Sequence, residues 1–207
     1  MVGFYNYTVW LTYLGLAAAV TGVTFAAKGD VSAAVLCLML CGFCDLFDGT
    51  VARTKERTER EKSFGIQIDS LSDLVNFGVL PAMIGYAVGM TAWYQVAVLC
   101  VYVLAALIRL GYYNVTEEEL HRGGEAARRT HYEGLPVTTA SILFPVLFIV
   151  RPHMADASFA VLYTAWMLVI AAAFLIRFRV RKLGMRGMLL AAGLGAALLV
   201  LLIFALR

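Results

Sequence analysis

The chain has 207 residues, of which 61% are hydrophobic and 15% charged, and its mean hydropathy is +0.79. That composition excludes an ordinary soluble domain, while the length fits one unit and no Pro-, Gly- or Ser-rich linker or repeat divides it. The formal net charge of +3 becomes informative only when the charges are placed along the chain.

Apolar runs near 7–27, 31–52, 65–90, 92–114, 134–151, 155–176 and 187–206 predict six or seven membrane-spanning helices. The expected fold is an all-α integral membrane protein, a polytopic bundle of six to seven transmembrane helices. It would form a single membrane domain over 1–207, with the spans of 31–114 as its catalytic core. The first run lacks a basic flank and a small-residue cleavage site, so it reads as a retained span rather than a signal peptide. Arg53, Lys55, Arg57, Arg60 and Lys62 follow the second run, Arg122, Arg128 and Arg129 the fourth, and Arg177, Arg179, Arg181, Lys182 and Arg186 the sixth. The opposite connections carry only Lys28 and Arg151. By the positive-inside rule the N-terminus and the connections after spans two, four and six face the cytoplasm of a cell membrane.

The mixed-sign stretch TKERTEREK reads as a solvated helix face or short amphipathic turn. Residues 115–133 form a polar loop in which His131 is solvated, and the basic run after span six is a topology signal compatible with anionic head groups. Cys37, Cys41, Cys44 and Cys100 all sit in apolar runs and receive no role.

The informative stretch runs from Asp45 to Asp73 and holds four of the chain's six aspartates. Asp45 and Asp48 are three apart and Asp69 and Asp73 four apart, so in helices each pair shares a face. Four carboxylates at membrane depth need positive charge beyond Arg53, and all-oxygen ligands favour Mg²⁺ or Mn²⁺. Gly49, Ala52 and Gly65 lie beside or one turn from these aspartates, and small residues there leave room for a flat ligand. Together with Arg53 they point to a nucleotide-diphosphate slot.

The run Asp45-x2-Asp48-Gly49-x2-Ala52-Arg53, followed by Gly65-x3-Asp69-x3-Asp73, resembles the signature of the CDP-alcohol phosphotransferase (phosphatidyltransferase) family. It departs from the pattern in the eleven residues between Arg53 and Gly65, where eight or nine are more usual. The resemblance implies a membrane enzyme with a six-helix core, usually a homodimer, that transfers a phosphatidyl-type group from a CDP-linked donor to an alcohol and releases CMP. It implies that Asp45, Asp48, Asp69 and Asp73 bind two divalent metals and that Asp73 is also the general base. Gly49, Ala52, Arg53, Gly65 and Asp69 would contact the cytidine nucleotide.

DSLSDLVNFGVLPA at 69–82, RLGYYN at 109–114 and GLPVTTA at 134–140 resemble the phosphatidylserine synthase branch, with departures at Asn76, Tyr112 and Thr138. The expected substrates are therefore CDP-diacylglycerol and L-serine, within membrane lipid and with no nucleic-acid partner. Serine carries a carboxylate, and Arg109 near the end of span four would face it, with Asn114 as a hydrogen-bonding neighbour. Glycerol phosphate, inositol and inositol phosphate remain alternative acceptors. A divalent-cation transporter would also place aspartates in a membrane, but no charged residues continue the four carboxylates through the bilayer.

Overall fold

A computed structural model describes residues 3–4, 7–52, 54–122, 131–181 and 185–205. After a single 3-10 turn at Tyr7–Val9 come α1 (Trp10–Ala27) and α2 (Val31–Ala52), joined by a tight turn in which Gly29 has φ +81°. Asp30 accepts a hydrogen bond from the Ala33 amide at 3.0 Å, which caps the start of α2. The buried stripe Gly15, Ala18, Ala19, Gly22 and Ala26 gives α1 a flat face, and Ala34, Val35, Leu38 and Cys41 of α2 are wholly buried in the same core. Small residues let helix backbones approach where lipid supplies no hydrophobic drive. A Cβ on Gly22 would come within 2.8 Å of the Cys37 Cβ.

The third expected span, 65–90, is a composite. Helix α3 (Glu59–Asp73) begins six residues earlier than its apolar run, because Thr58 accepts from the Glu61 amide and Glu61 accepts from the Thr58 amide, a reciprocal cap. A wide π turn follows at Leu74–Val79, and α4 (Leu80–Ala87) completes the element. Pro81 accounts for the wide turn: it has no N–H to offer the Phe77 carbonyl four residues back, and its ring crowds that carbonyl. The Tyr102 hydroxyl donates to the Phe77 carbonyl instead, at 2.6 Å, and the Tyr163 hydroxyl donates to the Pro81 carbonyl at 3.0 Å.

Helix α5 (Trp93–Arg122) runs two turns past the expected end at 114, since a helix entering water needs no apolar side chains. The 134–151 run yields a short α6 (Ala140–Leu147) between 3-10 turns at Val137–Thr139 and Arg151–His153, with Pro136 and Pro145 restricting it. Helix α7 (Asp156–Leu175) closes an aromatic cluster of Tyr102, Phe144, Phe148, Phe159, Tyr163 and Phe174, all at most 2% exposed. Helix α8 (Met185–Ala205) lies against α2 and α6.

One antiparallel pair interrupts the all-α pattern: β1 (His131–Glu133) lies beside β2 (Arg179–Arg181), with His131 opposite Arg181. Gly134 ends β1 at φ +79° and donates to the Phe178 carbonyl at 2.7 Å; a Cβ there would meet the Ile176 carbonyl at 3.0 Å. Among the described residues, Tyr7–Ala27, Val31–Val51, Trp93–Thr116 and Asp156–Leu175 are each long and apolar enough to cross a bilayer, and shorter apolar helical stretches complete a polytopic membrane bundle.

Candidate active site

Helix α1 packs against both α2 and α3, so the C-terminal turns of α2 and α3 converge on one cleft. Their spacing turns the aspartates into it from both sides. Asp45, Asp48 and Asp69 each bring a carboxylate oxygen to within 4.8 Å of the others. Asp73, one turn below Asp69, is 7% exposed and close enough to repel all three. The ion pairs of this region, Lys55–Glu61 at 3.4 Å and Lys62–Glu59 at 2.7 Å, do not involve them, so no ion pair among the described residues offsets the four charges. An all-oxygen donor set held this close, with no ion-paired cation among the described residues, fits a hard divalent metal.

The remaining expected residues fall around the cleft. Gly49 is exposed, and nothing lies within 4 Å of where its Cβ would be, so the space beside Asp45 and Asp48 is open. Ala52 belongs to the last turn of α2, and Arg53 lies outside the described residues. Gly65 sits one turn above Asp69 on the same face, with the Arg57 guanidinium 3.2 Å from its would-be Cβ.

Arg109 and Asn114 do not meet. Five positions apart, they point in directions about 140° apart around α5. Asn114 accepts from the Ser70 hydroxyl at 2.9 Å, which ties it to the residue after Asp69. Arg109 is 7% exposed, donates from Nε to the Leu135 carbonyl at 3.3 Å and lies 5.9 Å from the Tyr113 ring centre.

The structure adds three features to the expected site. A groove of about 370 Å³ starts at Asp45 and runs between α2, α6 and α8, with Thr138, Thr139 and Ser141 at its polar edge and Met39, Phe43 and Leu199 among its apolar walls. Ser70 joins the site through Asn114, a link no local spacing predicts. Below Asp73, Asn76 is 3% exposed, and its Oδ1 has no hydrogen-bond partner among the described residues, although its amide reaches the Ser72 hydroxyl at 3.4 Å. Its signal was available: it is a polar residue within an apolar run, next to the proline that widens the helix.

The sequence model of the CDP-alcohol phosphatidyltransferase family matches residues 5–177. Over 115 residues the chain is 38% identical to the CDP-diacylglycerol–serine O-phosphatidyltransferase of Saccharomyces cerevisiae, covering 55% of this chain and 41% of that one. Over 110 residues it is 33% identical to the enzyme of the same name from Mycobacterium tuberculosis, covering 53% and 37%. The archaetidylserine synthase of Methanothermobacter thermautotrophicus is 31% identical over 133 residues, covering 64% and 53%. The chain thus matches between 37% and 53% of the length of these relatives. With the family's sequence model covering most of the chain, including all four aspartates of the cleft, the chain belongs to the CDP-alcohol phosphatidyltransferase family.

Proposed function

We propose that this chain transfers the phosphatidyl group of CDP-diacylglycerol to the hydroxyl of L-serine, giving phosphatidylserine and CMP. The observation that carries the reading is the convergence of the Asp45, Asp48 and Asp69 oxygens within 4.8 Å, with Asp73 buried beside them. Serine as acceptor is supported by relatives from a yeast, a bacterium and an archaeon whose names all contain it.

Asp45, Asp48, Asp69 and Asp73 would hold two ions of Mg²⁺ or Mn²⁺. When bound, such ions neutralise charge developing on the phosphoryl oxygens and on the departing nucleotide. Gly49, Ala52, Arg53 and Gly65 border the nucleotide, Gly49 by leaving space and Arg53 by its charge. The groove beside Asp45 takes the acyl chains: Met39, Phe43 and Leu199 give it apolar walls, and Thr138, Thr139 and Ser141 add hydroxyls that can meet the polar end of the lipid.

A serine hydroxyl is a weak nucleophile at neutral pH, so a carboxylate must take its proton as the oxygen attacks phosphorus. Asp73 fills that role. The new P–O bond forms to serine, the bond to CMP breaks, CMP leaves with that electron pair and the proton rests on Asp73. Arg109 supplies a cation for the serine carboxylate, and Asn114, anchored through Ser70 next to Asp69, supplies an amide donor. The site faces the cytoplasm in a homodimer, as the charge pattern and the family resemblance imply.

CMP formation by the purified chain in CDP-diacylglycerol liposomes tests this, with L-serine, glycerol phosphate, inositol and inositol phosphate each offered as acceptor. Serine alone should support turnover. CMP formed with another acceptor and not with serine overturns the acceptor, and none with any of them overturns the transferase.

A further inference from the structure

The connection between α2 and α3 holds a cation that its own acids leave unmatched. Glu61 pairs with Lys55 and Glu59 with Lys62, while Glu56 is exposed. Arg57 is half-buried and forms no ion pair among the described residues. Its Nη1 instead lies 3.2 Å from where a Cβ of Gly65 would stand, so the guanidinium lies over the glycine itself.

That position has a direction. Gly65, Asp69 and Asp73 recur every four residues along one face of α3, about 6 Å apart along the helix axis. Arg57 therefore stands at the open end of the carboxylate stripe, one helical turn from Asp69. The loop that carries it is braced at both ends. The Tyr7 hydroxyl is hydrogen-bonded to Thr54 Oγ1 at 3.0 Å, the Phe4 ring meets the Phe64 ring edge-on at 5.5 Å between centres, and the Thr58–Glu61 cap fixes the turn between them. An arginine partly withdrawn from water, without a carboxylate and held in place by its loop is set up for an anion from outside. Its planar fork fits phosphate oxygens two at a time.

We propose that Arg57 binds the diphosphate of the CDP-linked donor, gripping at the mouth of the cleft the anion that the aspartate site grips from below. This inference rests on the function proposed above and adds a donor-binding residue outside the aspartate motif.

Binding of CDP, CMP and cytidine to the purified full chain in detergent, measured by titration calorimetry with Mg²⁺ present, tests it. Arg57→Ala should weaken CDP by about 10- to 100-fold, as loss of a charge-assisted phosphate contact does, with a smaller loss for CMP and none for cytidine. Arg57→Lys should fall between, since it keeps the charge and loses the fork. Arg57→Gln, which preserves most of the packing over Gly65, should reproduce the phosphate-selective loss, and thermal unfolding without nucleotide verifies that each variant is folded. CDP affinity unchanged in Arg57→Gln overturns the proposal, as does an equal loss for cytidine and CDP, which would mean stacking on the base. A wild-type chain that binds no cytidine nucleotide overturns the proposed function itself, an outcome distinct from either.

Discussion

Replacing Asp73 by Asn separates the proposed base from the other three carboxylates. The side chain is 7% exposed and lies outside the trio of oxygens that meet within 4.8 Å, so the change leaves that trio complete and keeps the buried volume. It also removes one charge from a cluster that no described cation offsets, so the ligand-free chain should be at least as stable as wild type. An amide cannot accept the serine proton at neutral pH, and loss of a general base costs about 10²–10⁴ in rate, or roughly 2.7–5.4 kcal/mol in barrier height. Asp45→Asn removes a member of the trio instead and should weaken metal and donor binding together. The assay is kcat at saturating L-serine and CDP-diacylglycerol with Mg²⁺ in excess, set beside CDP affinity by calorimetry and Tm without ligand. An Asp73→Asn enzyme with near wild-type kcat, or with a defect confined to donor affinity, would refute the assignment and move the base elsewhere.

Chelation by EDTA should abolish CMP formation and added Mg²⁺ or Mn²⁺ should restore it; full turnover in chelator would remove the metal from the mechanism. Arg109→Ala should raise KM for L-serine more than KM for CDP-diacylglycerol, and equal rises would show that the arginine only supports the fold. Gly22→Ala places a methyl 2.8 Å from the Cys37 Cβ and 2.9 Å from a Leu80 methyl, well inside the 3.5–4.0 Å of ordinary carbon contact. Because the Cys37 Cβ is fixed to its backbone, α1 and α2 must separate, at a cost of about 1–3 kcal/mol. An unchanged Tm in detergent would show that the two helices are less tightly packed than described.

What the sequence exposed and what it hid divide along physical lines. The range 31–52 coincides with α2 because an apolar run between Asp30 and the first cationic residues has both ends marked. Hydropathy missed the first six residues of α3 and the last two turns of α5, since both are helices in water and carry no apolar signal. The Thr58–Glu61 spacing marked the first of these, and reading caps beside hydropathy recovers it. Asp45, Asp48, Asp69 and Asp73 stood out because carboxylates are rare at membrane depth and their i, i+3 and i, i+4 spacings fix a common face. Arg57 over Gly65 could not be read, because Arg57 lies in the nonhelical connection before α3, whose path depends on contacts with Phe4 and Tyr7. Nor could the pairing of 131–133 with 179–181, where three residues per strand carry no periodicity to match.

The wide turn in the third span has an evolutionary consequence. A carbonyl released inside a bilayer finds no water, so it must be met by the protein. Pro81 releases the Phe77 carbonyl, and the hydroxyl that meets it comes from Tyr102 on a different helix. The two residues are therefore not independent characters. While proline stands at 81, phenylalanine at 102 takes from this carbonyl the hydroxyl that meets it in the core; once 81 regains an amide hydrogen, the tyrosine is free to drift. Among homologous chains, the hydroxyl should be lost only after, or together with, the proline.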